Sequence, residues 1–173
     1  AKNEAISKVN SLLASFCAEV KTYVEDMEKV IFVETRFEEW VTVNGVDIPL
    51  PLHAVVDLVV RLKDGRIVII DHKSKSKFTD TDEVALVHGQ QAITYVKAVE
   101  TADPTIDVDD VWFIENKESK NKDGSAQLKK HIIKMDKNCR LLYEALLYEP
   151  LKRMCEAVRN PDYVYTINTA DNF

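Results

Sequence analysis

The spacing of apolar residues changes along the first third of the chain. Between about 4 and 29 they recur in steps of three and four, which is typical of an amphipathic helix. The stretch that follows, VIFVETRFEEWVTV, is rich in β-branched and aromatic residues. It predicts strands at about 31–43 and 46–50, with a turn at Asn44 and Gly45. The chain is therefore expected to begin with a helix and to continue into a sheet.

The rest of the chain alternates between strand and helix patterns. Strands are predicted at about 53–62, 66–72, 111–116 and 127–135, and helices at about 82–101 and 137–158. Pro150 lies inside the last helix, where its ring predicts a kink or a restart. The order of elements indicates an α/β fold in which helices flank a central mixed β-sheet.

Two carboxylates interrupt apolar strands, at Asp57 in VVDLVV and at Asp71 in GRIVIID. Aspartate is rarely buried without a partner, because removing water from a carboxylate is costly. If 63–65 is a three-residue hairpin loop with Gly65 in the left-handed region, Asp57 lies directly opposite Asp71, with Cβ atoms ~4.5–5.5 Å apart. Lys73 then points to the same face as Asp71. A two-residue turn would shift the register by one and separate the acids.

Two opposed carboxylates repel each other, and burial strengthens the repulsion. A divalent cation such as Mg²⁺, which favours carboxylate oxygens and retained waters, would offset it. An ion pair with Lys73 would offset it as well, and the acids would then form a partly buried ionic cluster or lie exposed at a sheet edge. The residues alone leave these alternatives open.

Composition limits the kind of protein this can be. The 173 residues are 46% apolar and 30% charged, which suits one domain with a packed core. The formal net charge is −6, whereas a domain that holds nucleic acid by bulk charge is basic. If the protein binds a polyanion, the positive charge must be local, or metal ions must supply it.

The cysteines and the apolar runs bear on the compartment. Cys17, Cys139 and Cys155 are widely spaced and form no CxxC pair, so they predict neither a disulfide framework nor a zinc site. No apolar run has transmembrane length and no signal peptide is visible, so we expect a cytoplasmic protein without a membrane partner. The chain begins with Ala1 rather than Met, which fits a fragment of a larger protein.

Lysines are concentrated at two predicted strand ends. In HKSKSKF, Lys73, Lys75 and Lys77 share one face if the strand continues, and they would place a phosphate-binding strip beside the acids. The alternative is a solvated strand end. A second basic segment, QLKKHIIK, offers a further DNA-facing surface through Lys129, Lys130, His131 and Lys134.

The order of these motifs resembles the PD-(D/E)XK nuclease superfamily, in particular its RecB-like branch. In that pattern an Asp ends a short apolar strand, a hairpin leads to Asp-x-Lys, and a following helix carries Gln-x-x-x-Tyr. The resemblance covers about 34–95, and it implies a restriction-endonuclease-like core for one nuclease-like domain spanning 1–173. The residues that fall on the pattern are Asp57, Asp71, His72, Lys73, Gln91 and Tyr95.

The resemblance implies a role for each of these residues. Asp57 and Asp71 correspond to ligands of Mg²⁺ or Mn²⁺, with the backbone carbonyl of His72 as a further ligand. Lys73 corresponds to the residue that positions or activates the attacking water. Such groups suit phosphodiester hydrolysis, which needs a nucleophilic water and stabilisation of negative charge. Glu34 is a candidate third acidic ligand, and the alternative is an exposed charge on a strand.

Gln91 and Tyr95 are four residues apart, so they share one helix face. The resemblance places this pair beside the catalytic face, where it helps to hold the site and the DNA. The alternative is a half-buried tyrosine with a polar neighbour. The first helix departs from the pattern, because it lacks the metal-ligating His that many RecB-like nucleases carry there. Three cysteines cannot form the iron–sulfur cluster of some relatives, so none is expected.

Together these features predict a metal-dependent nuclease that hydrolyses DNA, of exonuclease type, in recombination, repair or a phage context. A helicase or another domain of a larger protein is expected to supply most of the DNA affinity. One alternative, favoured by the missing His, is a nuclease-like fold that binds nucleic acid or a protein partner without cutting. Another is a structural module in which the Asp-Asp-Lys cluster only fixes the strand register.

Overall fold

The computed structural model describes residues 2–43, 45–48, 50–79, 90–160 and 162. The helices are α1 (Lys2–Val24), α2 (Gln91–Ala102) and α3 (Lys137–Arg159). The strands are β1 (Met27–Glu39), β2 (Thr42–Val43), β3 (Val46–Asp47), β4 (Leu52–Leu62), β5 (Ile67–Lys75), β6 (Asp110–Lys117) and β7 (Leu128–Lys134). In this described part of the chain, no helix combines the length and the apolar character that crossing a membrane requires.

Five of the described strands form a mixed sheet in the order β1-β4-β5-β6-β7. β5 and β6 pair in parallel, and the other neighbours pair antiparallel. The parallel pair follows from the connection, because the chain passes through α2 before it returns as β6. β2 and β3 form a separate two-stranded hairpin. The prediction of a central mixed sheet with flanking helices is confirmed.

The two faces of the sheet are covered by different helices. On β5, Ile67 and Ile69 belong to one apolar cluster, and Val68 and Ile70 belong to the other. The first cluster includes buried side chains of α2 and α3, and the second includes Tyr23 of α1. β5 is therefore a central strand with both faces covered, which accounts for its unbroken apolar run.

Two predicted helices differ from the observed ones at their ends. α1 stops before the predicted end near 29, because Met27 is already the first residue of β1 and pairs there with Leu62 of β4. The β-branched and aromatic residues that follow favour a strand over a further helical turn. The helix predicted at 82–101 is observed as α2, and its first part, up to residue 89, lies outside the described residues.

The predicted strands also differ in length from the observed ones. The strand predicted at 31–43 is divided between β1 and β2, and the one predicted at 46–50 is shortened to β3. The strand predicted at 66–72 extends to Lys75, because its polar end pairs with β6. α3 continues through Pro150 without a restart.

Candidate active site

The hairpin between β4 and β5 has the register on which the meeting of the two acids depends. Leu58 pairs with Ile70, and the N–H of Leu62 donates to the carbonyl of Arg66 across a three-residue loop. Gly65 has a φ of +92°, in the left-handed region that favours glycine. The predicted three-residue loop is confirmed, and the alternative shift by one residue is excluded.

β4 and β5 separate just beyond this ladder, and Asp57 lies at the point of separation. After the pair of Leu58 and Ile70, β4 continues beside β1 and β5 continues beside β6. The Asp57 Oδ2 atom accepts the backbone N–H of His72 at 2.8 Å. The Asp57 side chain thus forms a hydrogen bond where the next backbone-to-backbone bond of the ladder would lie. We refer to this point, formed by Asp57, Asp71 and the backbone of His72, as the fork.

Asp71 is 3% exposed, and both of its carboxylate oxygens have partners. Oδ1 accepts the hydroxyl of Tyr95 at 2.9 Å, and that hydroxyl accepts the side-chain amide of Gln91 at 2.6 Å. Oδ2 lies 2.8 Å from Nζ of Lys73, which also lies 5.7 Å from the centre of the Phe113 ring. A buried carboxylate needs such partners to offset its lost hydration. The structure therefore brings the predicted Asp-x-Lys and Gln-x-x-x-Tyr residues into one connected group.

The hydroxyl of Tyr95 is held in its protonated form. Burial raises the pKa of Tyr95, and the carboxylates of Asp71 and Asp57 raise it further. Because the Asp71 carboxylate can only accept, the hydroxyl donates to it, and the phenol oxygen accepts from Gln91. The chain of hydrogen bonds therefore orients Asp71 from the α2 side. That Gln91 and Tyr95 act in catalysis stays a prediction.

His72 connects the Asp-x-Lys motif to α1. Its Nε2 atom lies 3.1 Å from the hydroxyl of Tyr23, and its ring packs against Phe16 with centroids 5.4 Å apart. Its Nδ1 atom lies 3.8 Å from Asp57 Oδ2, beyond hydrogen-bond distance. Burial lowers the pKa of the imidazole, and the surrounding carboxylates, Asp57 foremost, oppose that shift. Sequence reasoning missed Tyr23, whose signal was an aromatic residue in the apolar stripe of the first helix.

Glu34 lies on β1, and its backbone is strained. The residues on either side of it pair in register with β4 around Asp57, but Glu34 itself has a φ of +43°. A left-handed φ costs a residue with a Cβ atom ~1–2 kcal/mol, and such strain is commonly stored at functional sites. The Glu34 carboxylate is exposed, yet it is close enough to oppose slightly the lowering of the His72 pKa by burial.

The oxygen atoms of the fork fit a hard divalent cation. Apart from its ion pair with Lys73, the buried Oδ2 atom of Asp71 accepts no hydrogen bond from the residues that the structure describes. Mg²⁺ is commonly held by one or two carboxylates together with waters and substrate phosphates, so Asp57 and Asp71 suit it. The described residues include no group of three or more His, Cys, Asp or Glu side chains placed to hold a metal. That Glu34 is a third ligand stays a prediction, as does the backbone carbonyl of His72.

A second buried ionic group lies beside the fork, and sequence reasoning missed it. Glu115 is 1% exposed, its Oε2 atom lies 3.0 Å from Nε2 of His131, and its Oε1 atom lies 3.7 Å from Nζ of Lys75. Glu115 is the ladder partner of Lys73. His131 is buried, so the expectation that it forms part of an exposed surface was wrong, whereas a role of Lys75 in phosphate binding stays a prediction. The signal was the acid that follows the apolar run VWFI, as Asp71 follows IVII.

Comparison with solved structures finds relatives of low sequence identity. A protein named SSO0001 matches with a TM-score of 0.46 and 15% identity, over 92% of this chain and 67% of that chain. An alkaline exonuclease, LHK-Exo, from Laribacter hongkongensis matches with a TM-score of 0.35 and 18% identity, over 82% of this chain and 66% of that chain. Its complex with dAMP gives a TM-score of 0.33 at the same identity and coverage. This chain spans about two thirds of the length of these proteins.

Comparison with protein families gives a match over nearly the whole chain. No curated protein matches the sequence significantly. The family model of the PD-(D/E)XK nuclease superfamily, however, matches residues 3–167. That range contains the fork, the Asp-x-Lys motif and α2, and the observed mixed sheet has the restriction-endonuclease-like form that the motifs implied. The chain belongs to the PD-(D/E)XK nuclease superfamily.

Proposed function

We propose that the protein is a metal-dependent nuclease that hydrolyses the phosphodiester bonds of DNA. The observation that carries the proposal is the fork, where Asp57 and Asp71 lie on adjacent strands and Lys73 pairs with Asp71. Membership of a nuclease superfamily supports it. The RecB-like order of motifs favours an exonuclease-type activity in recombination, repair or a phage context, with a helicase or another domain as a partner.

In this proposal the carboxylates of Asp57 and Asp71, with the backbone carbonyl of His72, hold Mg²⁺ or Mn²⁺. The bound cation supplies a water of lowered pKa and positive charge at the scissile phosphate. The backbone N–H of His72 donates to the Asp57 carboxylate and keeps it in place, and the Tyr95 hydroxyl donates to the Asp71 carboxylate and orients it. Both acids are thus oriented before the substrate arrives.

Lys73 supplies positive charge and three hydrogen-bond donors beside Asp71. Its ammonium donates to the attacking water or to a phosphate oxygen and stabilises the negative charge of the transition state. Contact with the Phe113 ring and the ion pair with Asp71 restrict the ammonium from two sides. These two contacts support the role proposed for Lys73, which needs no large rearrangement of its side chain.

The test is cutting of end-labelled linear DNA with and without Mg²⁺ or Mn²⁺. Wild type should cut only with metal, and Lys73→Ala should cut about 10²-fold more slowly, because the reacting phosphate loses a donor. Lys137→Ala is the matched control, since Lys137 is exposed at the start of α3, three residues after Lys134, whose ladder partner is Asp110 at the far end of β6. Thermal melting of both variants distinguishes loss of chemistry from loss of fold. Unchanged metal-dependent cutting by Lys73→Ala would disprove the role of Lys73.

A second candidate function is a nuclease-like module that binds nucleic acid or a protein partner without cutting. It is favoured by the absence of a third metal-ligating side chain from the fork, within the part of the chain that the structure describes. Metal binding to the folded protein decides between the two. A cation at a hundredfold over its Kd adds ~2.7 kcal/mol to the free energy of unfolding. A melting temperature that Mn²⁺ leaves unchanged, with no cutting, would favour the module.

A further inference from the structure

Charge is distributed unevenly across the sheet. β1, at one edge, carries four glutamates against one lysine and one arginine. At the other side, the segment from Lys117 to Lys130 carries five lysines against one glutamate and one aspartate. The fork lies on β4 and β5, between these two regions. A polyanion that approaches the fork is therefore repelled on the β1 side and attracted on the side of β6 and β7.

The loop between β6 and β7, residues 118–127, is held in a defined shape. The backbone N–H of Asn121 donates to the carbonyl of Ser125, and the N–H of Gly124 donates to the carbonyl of Asn121, both at 2.9 Å. The Asp123 carboxylate accepts from both the backbone N–H and the hydroxyl of Ser125. Of the two acids in the loop, Asp123 is thus engaged within the turn and Glu118 forms an ion pair with Lys8 at 3.5 Å, so a ligand need not order the loop first.

The lysines around this loop fall into two groups. Lys75 reaches a buried carboxylate and Lys130 lies over an aromatic ring, so the protein itself engages their charges. Lys77, Lys120 and Lys122 are exposed, and they form no ion pair with any residue that the structure describes. The second group therefore presents positive charge to a ligand.

We propose that Lys120 and Lys122, together with Lys77, bind backbone phosphates of the DNA on one side of the cleavage site. The DNA leaves the fork over the β6–β7 loop and not over β1. This inference rests on the proposed function, because it names the path of the same substrate. Contacts of this kind read the charge of the backbone and carry no base preference.

The loop begins close to the fork. Lys75 pairs with Lys117, and the N–H of Glu118 donates to the carbonyl of Lys75 at 2.9 Å. Lys75 is two strand positions from Lys73, which corresponds to ~7 Å along the strand. At ~3.4 Å of helix axis per phosphate of one strand, this distance is about two phosphates. A DNA strand with its scissile phosphate at Lys73 therefore reaches the loop within a few nucleotides.

The test compares DNA binding by two double variants that lose the same net charge. Lys120→Gln/Lys122→Gln removes the loop lysines, and Lys63→Gln/Lys137→Gln removes two exposed lysines, from the β4–β5 loop and from the start of α3, at the other end of the sheet. Both controls lie at the end of the sheet that holds Asp110, whose carboxylate pairs with Arg66 beside the β4–β5 loop and whose ladder partner precedes Lys137 by three residues. Asp110 is seven residues and ~23 Å along β6 from the start of the β6–β7 loop. That separation exceeds the Debye length of ~8 Å at physiological ionic strength, so the control charges are screened from the loop.

Binding is measured by fluorescence anisotropy of fluorescein-labelled single-stranded and duplex DNA, in EDTA and across a salt series. The loop variant should bind about tenfold more weakly at physiological salt. Its slope of log affinity against log salt should be smaller by roughly 1.4–1.8, because two phosphate contacts are lost. The control should remain within about twofold of wild type, and DNA sequence should not alter the difference.

The outcomes separate this inference from the proposed chemistry. Equal weakening in both double variants, or none in the loop variant, would overturn the inference. Absence of DNA binding by wild type at low salt would overturn it as well. Binding that depends on the loop lysines in a protein that never cuts DNA would support the path while it disproves the nuclease activity.

Discussion

Replacing Glu34 with glycine should make the protein more stable, although it removes a candidate ligand. Glu34 has a φ of +43°, and a residue with a Cβ atom loses about 1–2 kcal/mol there, whereas glycine does not. Glycine also makes the unfolded chain more flexible, which lowers the free energy of unfolding by ~0.4–1 kcal/mol. From the middle of each range, about 1.5 less about 0.7, the net expected gain is roughly 0.8 kcal/mol in the free energy of unfolding. For a chain of this size it raises the melting temperature by about 1–4 °C.

Alanine at the same position separates the backbone effect from the loss of the carboxylate. Glu34→Ala removes the same charge but retains the strained φ, so repulsion from Asp57 and Asp71 is relieved equally in both variants. The Glu34→Gly variant should therefore be more stable than the Glu34→Ala variant, as measured by urea denaturation and thermal melting. Arg36 provides the control, because it is exposed on the same strand and has no positive φ. There the glycine variant should be ~0.5–1 kcal/mol less stable than the alanine variant.

Activity gives the second half of this prediction. If the Glu34 carboxylate acts at the fork, the glycine and alanine variants should lose metal-dependent cutting to the same extent, although their stabilities differ. A glycine variant that is no more stable than the alanine variant would refute the reasoning, because the left-handed backbone would then carry no strain. If both variants cut DNA at the same rate as wild type, the role of Glu34 as a ligand would be refuted.

Two further predictions concern the partners of the acids. Tyr95→Phe leaves Oδ1 of buried Asp71 without its donor, so urea denaturation should show a loss of ~1–3 kcal/mol and cutting should slow; unchanged stability would contradict this hydrogen bond. In EDTA, unfolded His72 takes up a proton near its ordinary pKa of ~6.5 before the folded residue does, so stability should fall as the pH drops below ~6.5. His72→Gln should lack that part of the fall, and identical pH profiles would contradict it.

The register of the fork could be predicted from sequence because it depends on local features. A Lys-Asp-Gly loop with Gly65 in the left-handed region fixes the pairing of β4 with β5, and strand alternation then assigns each side chain to a face. Once the register places Asp57 near Asp71, the ion pair of Asp71 with Lys73 follows. These steps use only neighbours within one hairpin.

The contacts that hold the acids in place involve residues far apart in the chain. Tyr23 and His72 are 49 positions apart. They meet because α1 packs on the face of the sheet opposite to the face that α2 covers. The left-handed φ of Glu34 arises where β1 follows β4 past the fork, so it depends on the pairing of both strands. A residue pattern reports neither the packing of a helix on a sheet nor a local irregularity in a ladder.

The lysines show why the number of basic residues is a poor guide to a DNA-binding surface. Lys73 and Lys75 alternate along one strand as the sequence predicts, yet each meets a buried acid, Asp71 or Glu115. A buried carboxylate is strongly destabilised without its partner, so both lysines stabilise the fold whatever else they contact. Exposed positive charge lies instead in the β6–β7 loop, which in sequence is an ordinary solvated segment. Which lysines are exposed without an acid partner is therefore decided by where the acids are buried, and that depends on the fold.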